Sequence, residues 1–126
     1  MAVLLLFLLI SASNLHSQNL PDWYVSLRDS VYEQILKADE IVPIYNTAKN
    51  NANSSMSGAE QYVIFSRCEY MMGRAYQFEE RNDEAAEHYA SGISWAEKAL
   101  ESRESSEAWQ MLAENISQSC AVRSTS

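Results

Sequence analysis

Residues 66–99 read SRCEYMMGRAYQFEERNDEAAEHYASGISWAEKA, and the spacing within them decides the fold. With Phe65 just before it, the first half sets Cys68, Met72 and Tyr76 on one line at intervals of three and four residues, the period of an amphipathic helix. A polar run, Glu79-Glu80-Arg81-Asn82-Asp83, ends that helix. A second line of Ala85, Tyr89, Ile93, Ala96 and Leu100 then starts another, with Asp83 and Glu84 at the favourable end of its dipole. Small Gly73 and Ala85 are the expected points of close approach, with Met72, Tyr76 and Tyr89 filling the space beside them.

Working outward, Ser57 and Glu60 stand in the S-x-x-E arrangement of a capping box and predict a helix start. Residues 50–57, Asn-Asn-Ala-Asn-Ser-Ser-Met-Ser, are small, polar and turn-prone, and predict a linker. Before them, Pro21-Asp22 opens a helix whose buried stripe is expected to run through Trp23, Leu27, Val31 and Ile35 and on to Val42 and Tyr45. Pro43 lacks the N–H that would bond the Asp39 carbonyl, so a kink or a junction of two helices is expected there. After Leu100 the helix continues to about Arg103, residues 102–106 break it, and residues 108–113 open a fourth. With only 3 Gly and 2 Pro among 126 residues, the turns of a many-stranded β fold are missing, and the fold class is all-α.

Met72-Gly73-x-x-Tyr76, followed by Ala85, Tyr89 and the small Gly92, resembles one tetratricopeptide repeat, whose pattern runs W-x₂-L-G-x₂-Y…A-x₃-F…P over about 34 residues. Glu69 stands where that family favours Trp, and Glu97 where Pro commonly ends the second helix. Trp109, Leu112 and Ala113 resemble the start of a further unit, with Ala113 lying 40 residues after Gly73 and Ile116 in place of the tyrosine. The resemblance implies antiparallel helix pairs stacked as a short α-solenoid behind a kinked N-terminal helix. An ordinary antiparallel bundle shares the apolar spacing; the pairing of Gly73 with Ala85 and Tyr89 separates the two. Repeat arrays need polar caps, and residues 58–126 show one whole unit and the opening of another, so the array is expected to be incomplete at its C-terminal end.

The first 17 residues carry a different signal. Val3 to Ile10 is an unbroken apolar octet followed by Ser11-Ala12-Ser13, the layout of a secretory signal peptide cleaved after Ser13 or Ser17, although no Lys or Arg precedes it. The octet is far shorter than the ~20 residues that span a bilayer, so no stable membrane anchor is expected. Residues 18–57 then form the kinked helix and linker. A net charge of −8 excludes the basic surface that nucleic acid requires.

Candidate chemistry is sparse. No G-x-S-x-G, phosphate-binding glycine loop or H-E-x-x-H occurs, so the chain is expected not to be an enzyme and to need no cofactor. Apart from His16 in the leader, His88 stands alone without a nearby cysteine, which predicts no metal site. In the repeat alignment Cys68 and Cys120 are offset by about 12 residues on parallel helices, or ~18 Å at the helical rise. A disulfide needs Cα atoms within about 7 Å, so two free thiols are expected, Cys68 in the core.

The family resemblance places a binding groove on the first helix of each unit. Arg67, Tyr70, Arg74, Gln77 and Phe78 would line it, with Gln110, Glu114 and Ser117 in the next. Tyr and Arg are frequent hot-spot residues, and two arginines on an acidic chain can receive a carboxylate. Tyr70 and Phe78 could equally pack against the preceding helix. Family members that clamp chaperone tails use Lys and Asn where Tyr70 and Arg74 stand, so that partner is not implied. The expected function is therefore an exported, periplasmic or secreted scaffold that binds a protein or peptide. The alternative is a periplasmic solute-binding or transport accessory enclosing a small ligand, which would need a deep apolar pocket beside the N-terminal helix.

Overall fold

The computed structural model describes residues 19–124, all-helical with no strand among them. The expected signal peptide at residues 1–17 lies outside the described residues. Five helices follow one another: α1 (Asp22–Glu33), α2 (Ala38–Ser55), α3 (Gly58–Phe78), α4 (Asn82–Ser102) and α5 (Ser106–Ser124). Each packs against the next in the chain, and α3 also packs against α1 and α5. Contacts fix the directions. Ala38 and Glu79 meet at one end of the α2–α3 pair while Gln61 reaches Ala52 and Met56 at the other, so these two are antiparallel. Gly73 against Tyr89 and Ser66 against Gly92 make α3 and α4 antiparallel. The result is one layer of α1, α3 and α5 side by side, and a second layer of α2 and α4 whose backbones stay apart.

The α3–α4 junction leaves no room for a side chain at position 73. A Cβ built on Gly73 would fall 2.5 Å from Cε1 and 2.8 Å from Cδ1 of Tyr89, closer than any side chain can approach. Met72, Ala85 and Tyr89 are fully buried beside it, and Tyr76 is nearly so. Gly92 plays the same part toward α5, because its Cβ would fall 2.2 Å from Asn115 Oδ1. Asn115 is itself buried, donating to Ser66 Oγ and to the Met111 carbonyl, and Ser66 in turn donates to the Gly92 carbonyl. A side chain at either glycine would force two helices apart.

The sequence expectations for the N-terminal helix, the linker and the Ser57 cap need correction. The break in the N-terminal helix falls at Gln34, not Pro43: Gln34 takes the left-handed conformation (φ 55°), and Pro43 sits exposed within α2. A proline early in a helix and facing solvent removes only one bond, to a carbonyl that water can reach. The apolar stripe consequently does not carry across. Ile35 is 79% exposed in the turn, and α2 buries Ile41, Ala48 and Ala52 while Val42 and Tyr45 are only half-buried.

The linker at residues 50–57 is mostly helix, since α2 runs to Ser55 and leaves only Met56 and Ser57 between helices. Asn51, Ser54 and Ser55 bond carbonyls one turn back, and Ala48 and Ala52 bury a smooth face, so tertiary packing overrides weak propensity. Ser57 precedes α3 as expected, but its side chain makes no cap bond; Gln61 Nε2 instead ties the end of α2 through the Ala52 and Met56 carbonyls. In α5, Trp109 and Ala113 are exposed and Leu112 is half-buried, and the helix buries Ala108, Met111, Asn115, Ser119 and Val122.

Gly73→Ala tests the junction. Alanine gains about 1 kcal/mol of helix propensity, but Tyr89 is boxed in and its hydroxyl is bonded to Gln77. We expect a net loss of about 2 kcal/mol and a melting temperature lower by ~5 °C or more on thermal unfolding; an unchanged melt would show that α3 and α4 can separate freely.

Candidate functional site

Two arrangements of polar side chains stand out. The first is a cleft of about 200 Å³ where α3 forms the floor and α1 and α5 the walls. Helical spacing builds it: Tyr24, Arg28 and Tyr32 recur every fourth residue on α1, Arg67, Tyr70 and Met71 share one face of α3, and Gln110 and Glu114 face them from α5. Burial raises the Tyr24 hydroxyl to a pKa of about 12 despite the opposing Arg67 charge, and burial likewise raises that of Tyr70. Both hydroxyls therefore stay protonated and can donate. Arg28 pairs with its neighbour Asp29 at 3.2 Å. Arg67 has no hydrogen bond or ion pair among the described residues, and it also borders an adjoining cleft of about 330 Å³ beside Leu20, Val63 and Arg103.

The expected groove residues thus divide. Arg67, Tyr70, Gln110 and Glu114 meet in the cleft. Arg74 and Gln77 are committed to the fold: Arg74 Nη1 donates to Gln77 Oε1 and to Gln118 Oε1, both at 3.2 Å, and the Tyr89 hydroxyl donates to Gln77 Oε1 at 2.5 Å. These bonds tie α3 to both α4 and α5. Phe78 lies beyond them, 38% exposed, its ring 4.7 Å from the Arg74 guanidinium and bordering a separate hollow beside Ile35 and Leu36. Tyr24, Arg28 and Tyr32 were not anticipated as lining, although their every-fourth-residue spacing was visible.

The second arrangement centres on Glu69, only 2% exposed. Its Oε1 accepts from the Tyr45 hydroxyl and from Lys49 Nζ at 2.9 Å, and its Oε2 lies 2.9 Å from His88 Nδ1. A carboxylate only accepts, so that nitrogen carries the proton. The His88 ring stacks on Tyr76 and meets Tyr45 edge-on, each with centroids 5.4 Å apart. One carboxylate on α3 thereby links α2 and α4, whose backbones do not meet. Burial alone would push the Glu69 carboxyl up, but the hydrogen bonds from His88, Tyr45 and Lys49, with the Lys49 charge, outweigh it and hold the group below the usual range. The same surroundings raise the Tyr45 hydroxyl, through burial first and the Glu69 bond second, and burial with the Glu69 charge raises the Cys68 thiol to about 12.

None of these four residues lines either cleft, and each Glu69 oxygen is already engaged. The cluster is arranged for holding helices. Cys68 is buried and Cys120 exposed, both as free thiols. Among the described residues no group of three His, Cys, Asp or Glu side chains is placed to hold a metal, and no helix is long and apolar enough to cross a membrane.

No family model, no curated protein and no solved structure matches the chain. The repeat resemblance rests on this chain's own residues.

Because the folded Glu69 carboxyl titrates below its unfolded value of about 4.3, its stabilisation is complete above that pH and is lost as pH falls through the lowered folded value. Glu69→Gln is expected to lower the neutral-pH melting temperature and to flatten the acid limb of the stability profile. Glu69→Ala, which strands Tyr45, Lys49 and His88, is expected to cost about 3 kcal/mol in denaturant unfolding. Parallel acid limbs for wild type and Glu69→Gln would remove the linkage.

Proposed function

We propose that this chain is a non-catalytic protein-interaction scaffold of the tetratricopeptide type, acting outside the cytoplasm, and that the cleft between α1, α3 and α5 receives an extended segment of a partner protein. The observation that carries the reading is Arg67: a half-buried guanidinium without an ion partner among the described residues, set between tyrosines in an open cleft on an acidic chain. Arginine and tyrosine in a partly desolvated hollow are the residues that most often dominate peptide affinity. Helices that pack only with near neighbours in the chain, with α1, α3 and α5 forming one wall, support the stacked-repeat reading. The polar lining of Arg28, Arg67, Gln110 and Glu114 weighs against a deep apolar ligand pocket, and so favours the scaffold over a small-solute carrier.

The groove is accordingly narrower than the sequence suggested, with Arg74 as a brace. Screening the protein against an array of random peptides and titrating the best binder tests this. Arg67→Ala should weaken that peptide about tenfold or more with the melting temperature unchanged. Arg74→Ala should lower the melting temperature and leave affinity nearly intact. Wild-type affinity in Arg67→Ala would displace the site from this cleft.

A further inference from the structure

Tyr24 is only 5% exposed, lines the cleft between α1, α3 and α5, and makes no hydrogen bond among the described residues. The hydroxyls of Tyr45 and Tyr89, by contrast, donate to Glu69 and Gln77. A buried hydroxyl left unmatched is unfavourable, and an acceptor entering the cleft would relieve it. Burial keeps the proton on this phenol, and Arg67 is the charge that acts on it most strongly. Three arginines line this cleft and the one adjoining it. Arg28 faces Asp29 at 3.2 Å and Arg103 faces Glu60 at 4.0 Å, whereas Arg67 has no carboxylate within ion-pair distance among the described residues. An unmatched hydroxyl donor and an unmatched guanidinium thus border one hollow.

We infer that Tyr24 and Arg67 together seat a single carboxylate, borne by an aspartate or glutamate side chain in the interior of the partner segment. This rests on the peptide reading of the cleft and adds to it the residue that the cleft receives. Three features choose that occupant. A carboxylate accepts only, so it satisfies both groups at once, and its charge strengthens each hydrogen bond. Arg67 and Leu20 border both clefts, so hollow space continues on either side of the guanidinium and a segment lying there runs past it in both directions. The acid is therefore a side chain and not the C-terminal end of the partner. Glu60 and Glu107 border one limb of the groove and Glu114 the other, so the signs along it run negative, positive, negative. Further acids in the segment, or a doubly charged phosphoryl group, would meet these carboxylates, whereas uncharged or basic neighbours suit them.

Calorimetric titration of the full chain with the best-binding peptide of the array, and with variants of that peptide, tests this. The peptide should carry one internal acid. Changing that acid to its amide should weaken binding to wild type about tenfold. Amidating the peptide's C-terminus should change nothing, and adding an acid on each side of the first should weaken binding. Tyr24→Phe keeps the ring and removes only the hydroxyl. It should bind the acidic peptide about tenfold more weakly than wild type does, and the amide peptide equally well. An equal loss for both peptides would reduce Tyr24 to packing and overturn the proposal. A best binder without an acid, or one whose acid can be amidated without loss, would overturn it too. In each of those cases a loss of affinity in Arg67→Ala keeps the cleft as the peptide site; wild-type affinity there, or an array without any binder, removes both readings.

Discussion

The contact of Gly73 with Tyr89 sets the spacing on which the other features depend. Because Gly73 has no Cβ, the Tyr89 ring lies directly on the α3 backbone, and α3 and α4 close to a distance no larger residue would permit. That depth lets the Tyr89 hydroxyl reach Gln77, which also receives Arg74, and Arg74 reaches across to Gln118 on α5. The same closeness lets Ser66 reach the Gly92 carbonyl and hold Asn115 in place. Two absent side chains, at Gly73 and Gly92, thus govern how α3, α4 and α5 meet.

Glu69 solves a different problem. Helices α2 and α4 pack on the same side of α3 without their backbones touching, and an apolar side chain at position 69 could fill the gap but could not hold the polar tips of Tyr45, Lys49 and His88. A carboxylate accepts from all three. Burying it is costly, and the cost is offset because the hydrogen bonds and the Lys49 charge favour the ionised form more than burial opposes it. An arrangement of this kind specifies one geometry, since a small shift of either outer helix would leave a buried charge without a donor.

Much of the fold is legible from residue order. The line of Cys68, Met72 and Tyr76, the line of Ala85 and Tyr89, and the polar turn between them identify two antiparallel helices, because period and breaker residues are local properties of the chain. Cleft residues were legible in part. Arg67 and Tyr70 share a face by helical spacing, but the same spacing includes Arg74, and only the reach of Gln118 from α5 shows that its guanidinium is occupied. The helical run through residues 50–55 was hidden by weak propensities, which the burial of Ala48 and Ala52 overrides.

By itself, then, the sequence determined the helical class, the helix order and the need for a small residue at position 73, since these follow from periodicity, turn chemistry and side-chain size. Tertiary structure alone decided that Glu69 and His88 are partners, that the N-terminal break falls at Gln34 instead of Pro43, and that Trp109 faces outward. Each of those outcomes depends on which distant side chain comes within a few ångströms, and a pattern read along one helix carries no information about the surface packed against it.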